Sequence, residues 1–150
     1  MTKLKLARVA DILEREVEPM TKEWLRRVNL VPELTEIPLS NADRICHLPN
    51  LYRDLIFRLR LATDTKLPIS VAATAHGLIR RAQGYTAAML IEESRLLQVA
   101  TFGTLHLHQS ELDHSQVLLD VTVIADEVDA QLMETVRSLM AAKLPEPAAA

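Results

Sequence analysis

Apolar residues recur every three or four positions along almost the whole chain, and this spacing is the strongest constraint on its fold. Leu6, Ala10, Leu13, Val17, Met20, Trp24 and Val28 fall on one stripe of a helix. Leu51, Leu55, Leu59 and Ala62 form a second stripe. No segment alternates with period two for long enough to make a strand, and the chain has only three glycines, too few for a turn-rich β architecture. The expected class is all-α, a bundle of five to six helices over residues 1–143, with residues 144–150 as a linker or tail. Aromatic residues are 3% of the chain, so Leu, Val, Ile, Ala and Met must fill the core.

The punctuation between stripes is specific. Pro19 should kink or restart the first helix, because it lacks a donor and clashes with the preceding turn. Pro32 and Pro38 bound a connection. Ser40 is placed as an N-cap with Asp43 as its capping-box partner, ahead of a short helix ending near His47. Pro49 suits the start of a further helix. After a connection over 63–68, Ser70 can cap a helix that runs through His76 and Arg80 to Gln83. Gly84 is positioned to stop it, and Thr86 to cap the next one, which should reach Gln109. A last helix is expected from near Asp113 to Lys143.

Glu93 is the residue that the stripes do not explain. Its neighbours three and four positions away are Met89, Leu90, Leu96 and Leu97, so it lies within an apolar face and needs a partner. His76 and Arg80, four apart on the preceding helix, can supply one. Gly77 removes a side chain beside them and lets another helix approach, and a corner at Gly84 would fold the two helices together. The expected polar cluster is His76, Gly77, Arg80, Gln83, Gly84, Tyr85, Glu93 and Arg95. It reads either as a satisfied network that fixes helix register or as a signal- or ligand-responsive site.

The remaining candidates are weaker. His106, His108 and His114 lack a completing ligand set and are expected as solvated histidines near a helix end. Cys46-His47 reads as a chance neighbour pair. No metal site is expected. No nucleophile elbow, phosphate-binding glycine loop or metalloprotease pair is present, so no catalysis is expected. A net charge of −3 argues against nucleic acid. A single cysteine and the lack of a long apolar run imply a cytoplasmic domain without membrane contact. Leu118, Val121, Ala125, Val128, Leu132 and Leu139 follow a nearly heptad pattern, which is a dimer seam, a helix that continues into a following domain, or an ordinary bundle face.

The run Ala75-His76-Gly77-Leu78-Ile79-Arg80-Arg81-Ala82-Gln83-Gly84-Tyr85, followed by Leu90-Ile91-Glu92-Glu93-Ser94-Arg95-Leu96-Leu97, resembles the N-terminal domain of RsbRD-type RsbT co-antagonists. Similar domains precede bacterial histidine kinases. The segments Trp24–Val28 and Leu39–Pro49 fit the same pattern, whereas Ser94 and Gln98 depart from it. The resemblance implies a non-catalytic signal-input or regulatory domain of a bacterial signalling or stress-response protein. It would be a homodimer that relays through its last helix to an output domain or signalling partner protein, with no cofactor. It also keeps a globin-like arrangement open, and with it a competing reading as a haem or small-molecule sensor, with His76 or His106 as the axial candidate.

Overall fold

The computed structural model describes residues 5–62, 65 and 67–141, and the tail at 144–150 lies outside them. Helix is the only extended regular structure among these residues. It comprises α1 (Val9–Arg15), α2 (Val17–Val28), α3 (Pro32–Thr35), α4 (Asn41–Ile45), α5 (Leu48–Leu59), α6 (Val71–Ala82), α7 (Ala87–Leu107) and α8 (His114–Ala141). Five of these, α2 and α5 to α8, have twelve residues or more and build the bundle with α1. The all-α bundle expected from the apolar spacing is the observed architecture.

The first stripe is divided as the proline requires. A proline ring clashes with the carbonyl four residues earlier, here that of Arg15, and α1 ends at Arg15. A new helix begins at Val17, so Pro19 sits in the first turn, where no donor is needed. Ala10, Leu13, Met20, Trp24 and Val28 nevertheless all enter the core, while Leu6 is exposed.

α8 is the longest element and packs along α5, α6 and α7, while α2 packs on α7 and α1 on α5. One continuous core fills the space between them, with Met20, Trp24, Leu55, Leu97, Ile124 and Leu139 among its members. The chain before α1 is pinned to the α7–α8 connection: Ala7 N–H donates to the Glu111 carbonyl at 2.7 Å, and Asp113 N–H donates to the Ala7 carbonyl at 3.0 Å.

One expectation about neighbours needs correction, and one open alternative is narrowed. The corner at Gly84 does not press α6 against α7 along their lengths; α6 lies principally along α8. The heptad-like residues of α8 are mostly a bundle face, because Val128 and Leu139 are buried in the domain's own core and Leu132 packs against it. Only Leu118, 80% exposed, stands clear. Four further apolar residues on that helix or at the end of α7 are exposed: Leu107, Leu119, Met133 and Met140.

The helix caps follow the sequence signals closely. Ser40 Oγ accepts from Asp43 N–H at 3.1 Å, Ser70 Oγ from Ala73 N–H at 3.1 Å, and Thr86 Oγ1 from Met89 N–H at 3.3 Å. Asp43 does not return a side-chain bond to Ser40, so that capping box is half formed. At the end of α6, Gly84 N–H donates to the Arg81 carbonyl and Tyr85 N–H to the Arg80 carbonyl, both at 3.0 Å. This is the paired closure of a Schellman motif, and it places Gly84 at φ +91°. A side chain there meets no neighbour but must adopt a left-handed backbone. Gly84→Ala is therefore expected to cost about 1–2 kcal/mol, read as a fall in the urea midpoint with an unchanged slope.

Candidate functional site

Arg80 is the centre of the site. It is completely buried, although arginine is the largest of the charged side chains. A buried guanidinium is tolerated only when its donors are matched, and all five N–H groups of Arg80 have acceptors. Nε donates to Glu93 Oε1 at 3.0 Å and Nη2 to Glu93 Oε2 at 2.9 Å, a bidentate pair. Nη1 donates to Gln83 Oε1 at 2.7 Å and to the Asp43 carbonyl at 3.1 Å. The second Nη2 donor goes to the Arg44 carbonyl. The Tyr85 ring lies under the guanidinium carbon, 4.5 Å from it, in cation–π geometry.

The inferred cluster thus assembles from α6, the Gly84 corner and α7. Glu93 is held at its backbone as well as at its carboxylate, since Trp24 Nε1 on α2 donates to the Glu93 backbone carbonyl at 3.1 Å. His76 joins less tightly: its Nε2 lies 3.7 Å from Glu93 Oε1, too far for a hydrogen bond. Its Nδ1 is buried with no partner. Gly77 serves α8. A methyl group there would overlap the Thr135 carbonyl oxygen and come within 2.8 Å of Ser138 Cβ. The two helices are also tied by hydroxyls: Ser138 Oγ donates to the Thr74 carbonyl at 2.7 Å, and Thr135 Oγ1 shares its hydrogen between the Gln131 carbonyl of its own helix at 2.8 Å and the Ala73 carbonyl at 3.2 Å.

Arg95 does not belong to the cluster. It is exposed and forms a two-bond pair with Glu92, at 3.0 and 2.6 Å. Three positions separate the two, so they meet on the outer face of α7 rather than across the corner.

The structure adds residues that the spacing did not single out. Arg44, on the five-residue α4, is buried and donates to the carbonyls of Leu34 (3.0 Å) and Ile37 (2.7 Å) and to the Tyr85 hydroxyl (3.3 Å). It ties α3, α4 and the Gly84 corner into one unit. Nothing in a short polar helix signals this, because an arginine there is ordinarily solvated. Trp24 could have been found, since a buried indole N–H must reach an acceptor.

Cys46 and His47, expected as a chance neighbour pair, are in side-chain contact. Cys46 adopts φ +49° and ψ −117° between α4 and α5, a conformation rare outside glycine. Its Sγ lies 3.0 Å from His47 Nδ1. The His47 ring stands edge-on to that of His76, with centroids 5.8 Å apart and planes at 88°. Burial pushes the Cys46 thiol up, against the pull of the Arg80 charge. Burial, together with the nearby His76 and Arg80, pulls His47 down.

A cavity of about 40 Å³ lies beside this group, lined by Trp24, His76, Leu90, Glu93, Leu97 and Thr135 among others. It has room for a water molecule, far below the volume of a small-molecule pocket. His106 and His114 are exposed, as expected of solvated histidines. His108 is not simply solvated. Its Nδ1 is 2.6 Å from Glu111 Oε2 and 3.3 Å from Arg15 Nη2, in a network joining α1 to the α7–α8 turn.

No family model, curated protein or solved structure matches this chain.

Proposed function

We propose that the chain is a non-catalytic signal-input or regulatory domain of a bacterial signalling or stress-response protein. It acts in the cytoplasm as a homodimer and relays changes in helix packing along α8 to an output domain. The observation that carries this reading is the α6–α8 junction. α6 holds Arg80 on one side and, at Gly77, rests against the backbone of α8 on the other. Well-packed interfaces of this kind have discrete arrangements rather than a continuous range. A rearrangement of the Arg80–Glu93 centre would therefore reposition α6, and α8 with it.

Three further points support the reading. The resemblance of the His76–Leu97 stretch to RsbRD-type input domains points the same way. Glu93, the carboxylate of the cluster, is held by Arg80 and enclosed by the core. No described helix is long and apolar enough to cross a membrane.

The test is the mass in solution by light scattering. The expected result is a dimer, converted to a folded monomer by Leu118→Glu combined with Leu119→Glu. A strict monomer at high protein concentration would contradict the dimer relay.

A further inference from the structure

We infer that Cys46, His47 and His76 form a binding site for a thiophilic transition-metal ion of the zinc class, at the junction of α4, α5 and α6. One potential ligand atom from each residue lies within 4.8 Å of the other two, the one group of this kind among the described residues. The inference goes beyond the regulatory reading and does not depend on it.

The first argument is backbone geometry. Consecutive side chains diverge by about 100° on a helix and point to opposite faces on a strand, so neighbours in sequence do not normally converge on one ion. Cys46 escapes this through its positive φ, which brings its sulfur to 3.0 Å from His47 Nδ1. Such a conformation is unfavourable in a residue other than glycine. The helix junction holds it in place, with Cys46 N–H bonded to the Ala42 carbonyl at 3.0 Å.

The second argument is independent and concerns His76. This imidazole is buried, yet its Nδ1 has no hydrogen-bond partner. Buried polar atoms are nearly always satisfied, and an unmatched one calls for a water, a ligand or an ion. Its other nitrogen, Nε2, faces the Glu93 carboxylate at 3.7 Å. That leaves Nδ1 without a protein partner and free to bind an ion, while the negative charge of Glu93 lies on the other side of the ring. Glu93 is itself anchored by Arg80, which it also neutralises, so the guanidinium does not face the ion as an uncompensated charge.

The dimensions agree. Bonds of about 2.3 Å to sulfur and about 2.0–2.1 Å to nitrogen place tetrahedral ligand atoms roughly 3.5 Å apart. The observed spacings, from 3.0 Å to at most 4.8 Å, bracket that value. Cys46 and His47 are part-exposed, so the ion has a route in from solvent. Three protein ligands leave a fourth position for water or for a donor from a partner. One thiolate and two imidazoles select for zinc, cobalt or copper over magnesium or calcium.

The experiment is a cobalt(II) titration of the full chain after removal of metals with a chelator, followed by absorption spectroscopy. One equivalent should produce a thiolate-to-cobalt charge-transfer band together with the intense visible bands of tetrahedral cobalt, and one equivalent of zinc should bleach both. Cys46→Ser should abolish the charge-transfer band, and His47→Ala should weaken binding at least ten-fold. Because His76 is buried and its replacement can disturb folding, these two part-exposed positions carry the test, with circular dichroism confirming that each variant is helical. The inference is overturned if the folded wild-type chain develops no charge-transfer band. It is also overturned if cobalt binds equally well to both variants, which would place the ion on exposed histidines such as His106 and His114.

Discussion

Arg80→Ala is expected to destabilise the domain by about 3–5 kcal/mol, which for a chain of this size lowers the melting temperature by roughly 10 °C. The loss has two parts. The substitution removes five hydrogen bonds in one step. It also leaves the Glu93 carboxylate inside the core with no cation and the Asp43 and Arg44 carbonyls with no side-chain donor. An unmatched buried charge costs more than the pair was worth, which is why breaking one side is so damaging. Arg80→Lys should also be costly despite retaining the charge. An ammonium is a point donor and cannot span both carboxylate oxygens while reaching Gln83 and the end of α4. Urea unfolding followed by far-UV circular dichroism checks both variants. A change within about 0.5 kcal/mol for Arg80→Ala, as at an ordinary surface position, would mean that the buried network contributes nothing to folding.

The second large effect concerns glycine in the middle of a helix, and its sign depends on position. Replacing a mid-helix glycine by alanine normally stabilises by about 0.5–1 kcal/mol, because the unfolded chain loses freedom. Gly103 on α7 is such a case: a methyl group there meets nothing within 4 Å, and Gly103→Ala should raise stability by that amount. Gly77→Ala should do the opposite, lowering stability by about 1–3 kcal/mol. The added methyl group meets the Thr135 backbone carbonyl, and a backbone cannot rotate away as a side-chain tip can. α8 would have to lift, stretching the Thr135 and Ser138 bonds to α6. The pair of variants, compared by thermal unfolding, separates a packing effect from helix propensity. Stabilisation by both would show that α6 and α8 are not in backbone contact.

Much of this arrangement is legible in the sequence, for physical reasons that can be named residue by residue. Glu93 stands out because a carboxylate inside an apolar helical stripe has to find a cation. His76 and Arg80 are found because four-residue spacing puts them on one face. Gly84 is found because a helix end followed at once by a capping threonine needs a left-handed residue. These signals are local, acting over a turn or two of helix. What the sequence hides is set by which helix packs on which. Gly77 announces a close approach without naming α8 as the partner. The heptad-like run from Leu118 to Leu139 has the same spacing whether it faces a second chain or its own core, and here Val128 and Leu139 face the core. Arg95 has the right charge for the cluster but sits three residues from Glu92, and that pairing holds it outside. Arg44 gives no sign at all, since its burial depends on α3 and the Gly84 corner closing over it. Cys46 and His47 converge only because the backbone turns left-handed at a cysteine, where no glycine marks the turn.

The account rests most heavily on Arg80 and Glu93 acting as one unit that joins α6 to α7. A double-mutant cycle tests this directly, with Arg80→Ala, Glu93→Ala and the combined variant unfolded in urea, in the presence of a stabilising osmolyte so that each keeps a folded baseline. The expected result is strong non-additivity. The double variant should be more stable than the sum of the single losses implies, by about 2–3 kcal/mol, because removing both charges leaves neither one buried alone. Additivity within about 0.5 kcal/mol would contradict the account, since it would show that the two side chains stabilise the fold independently.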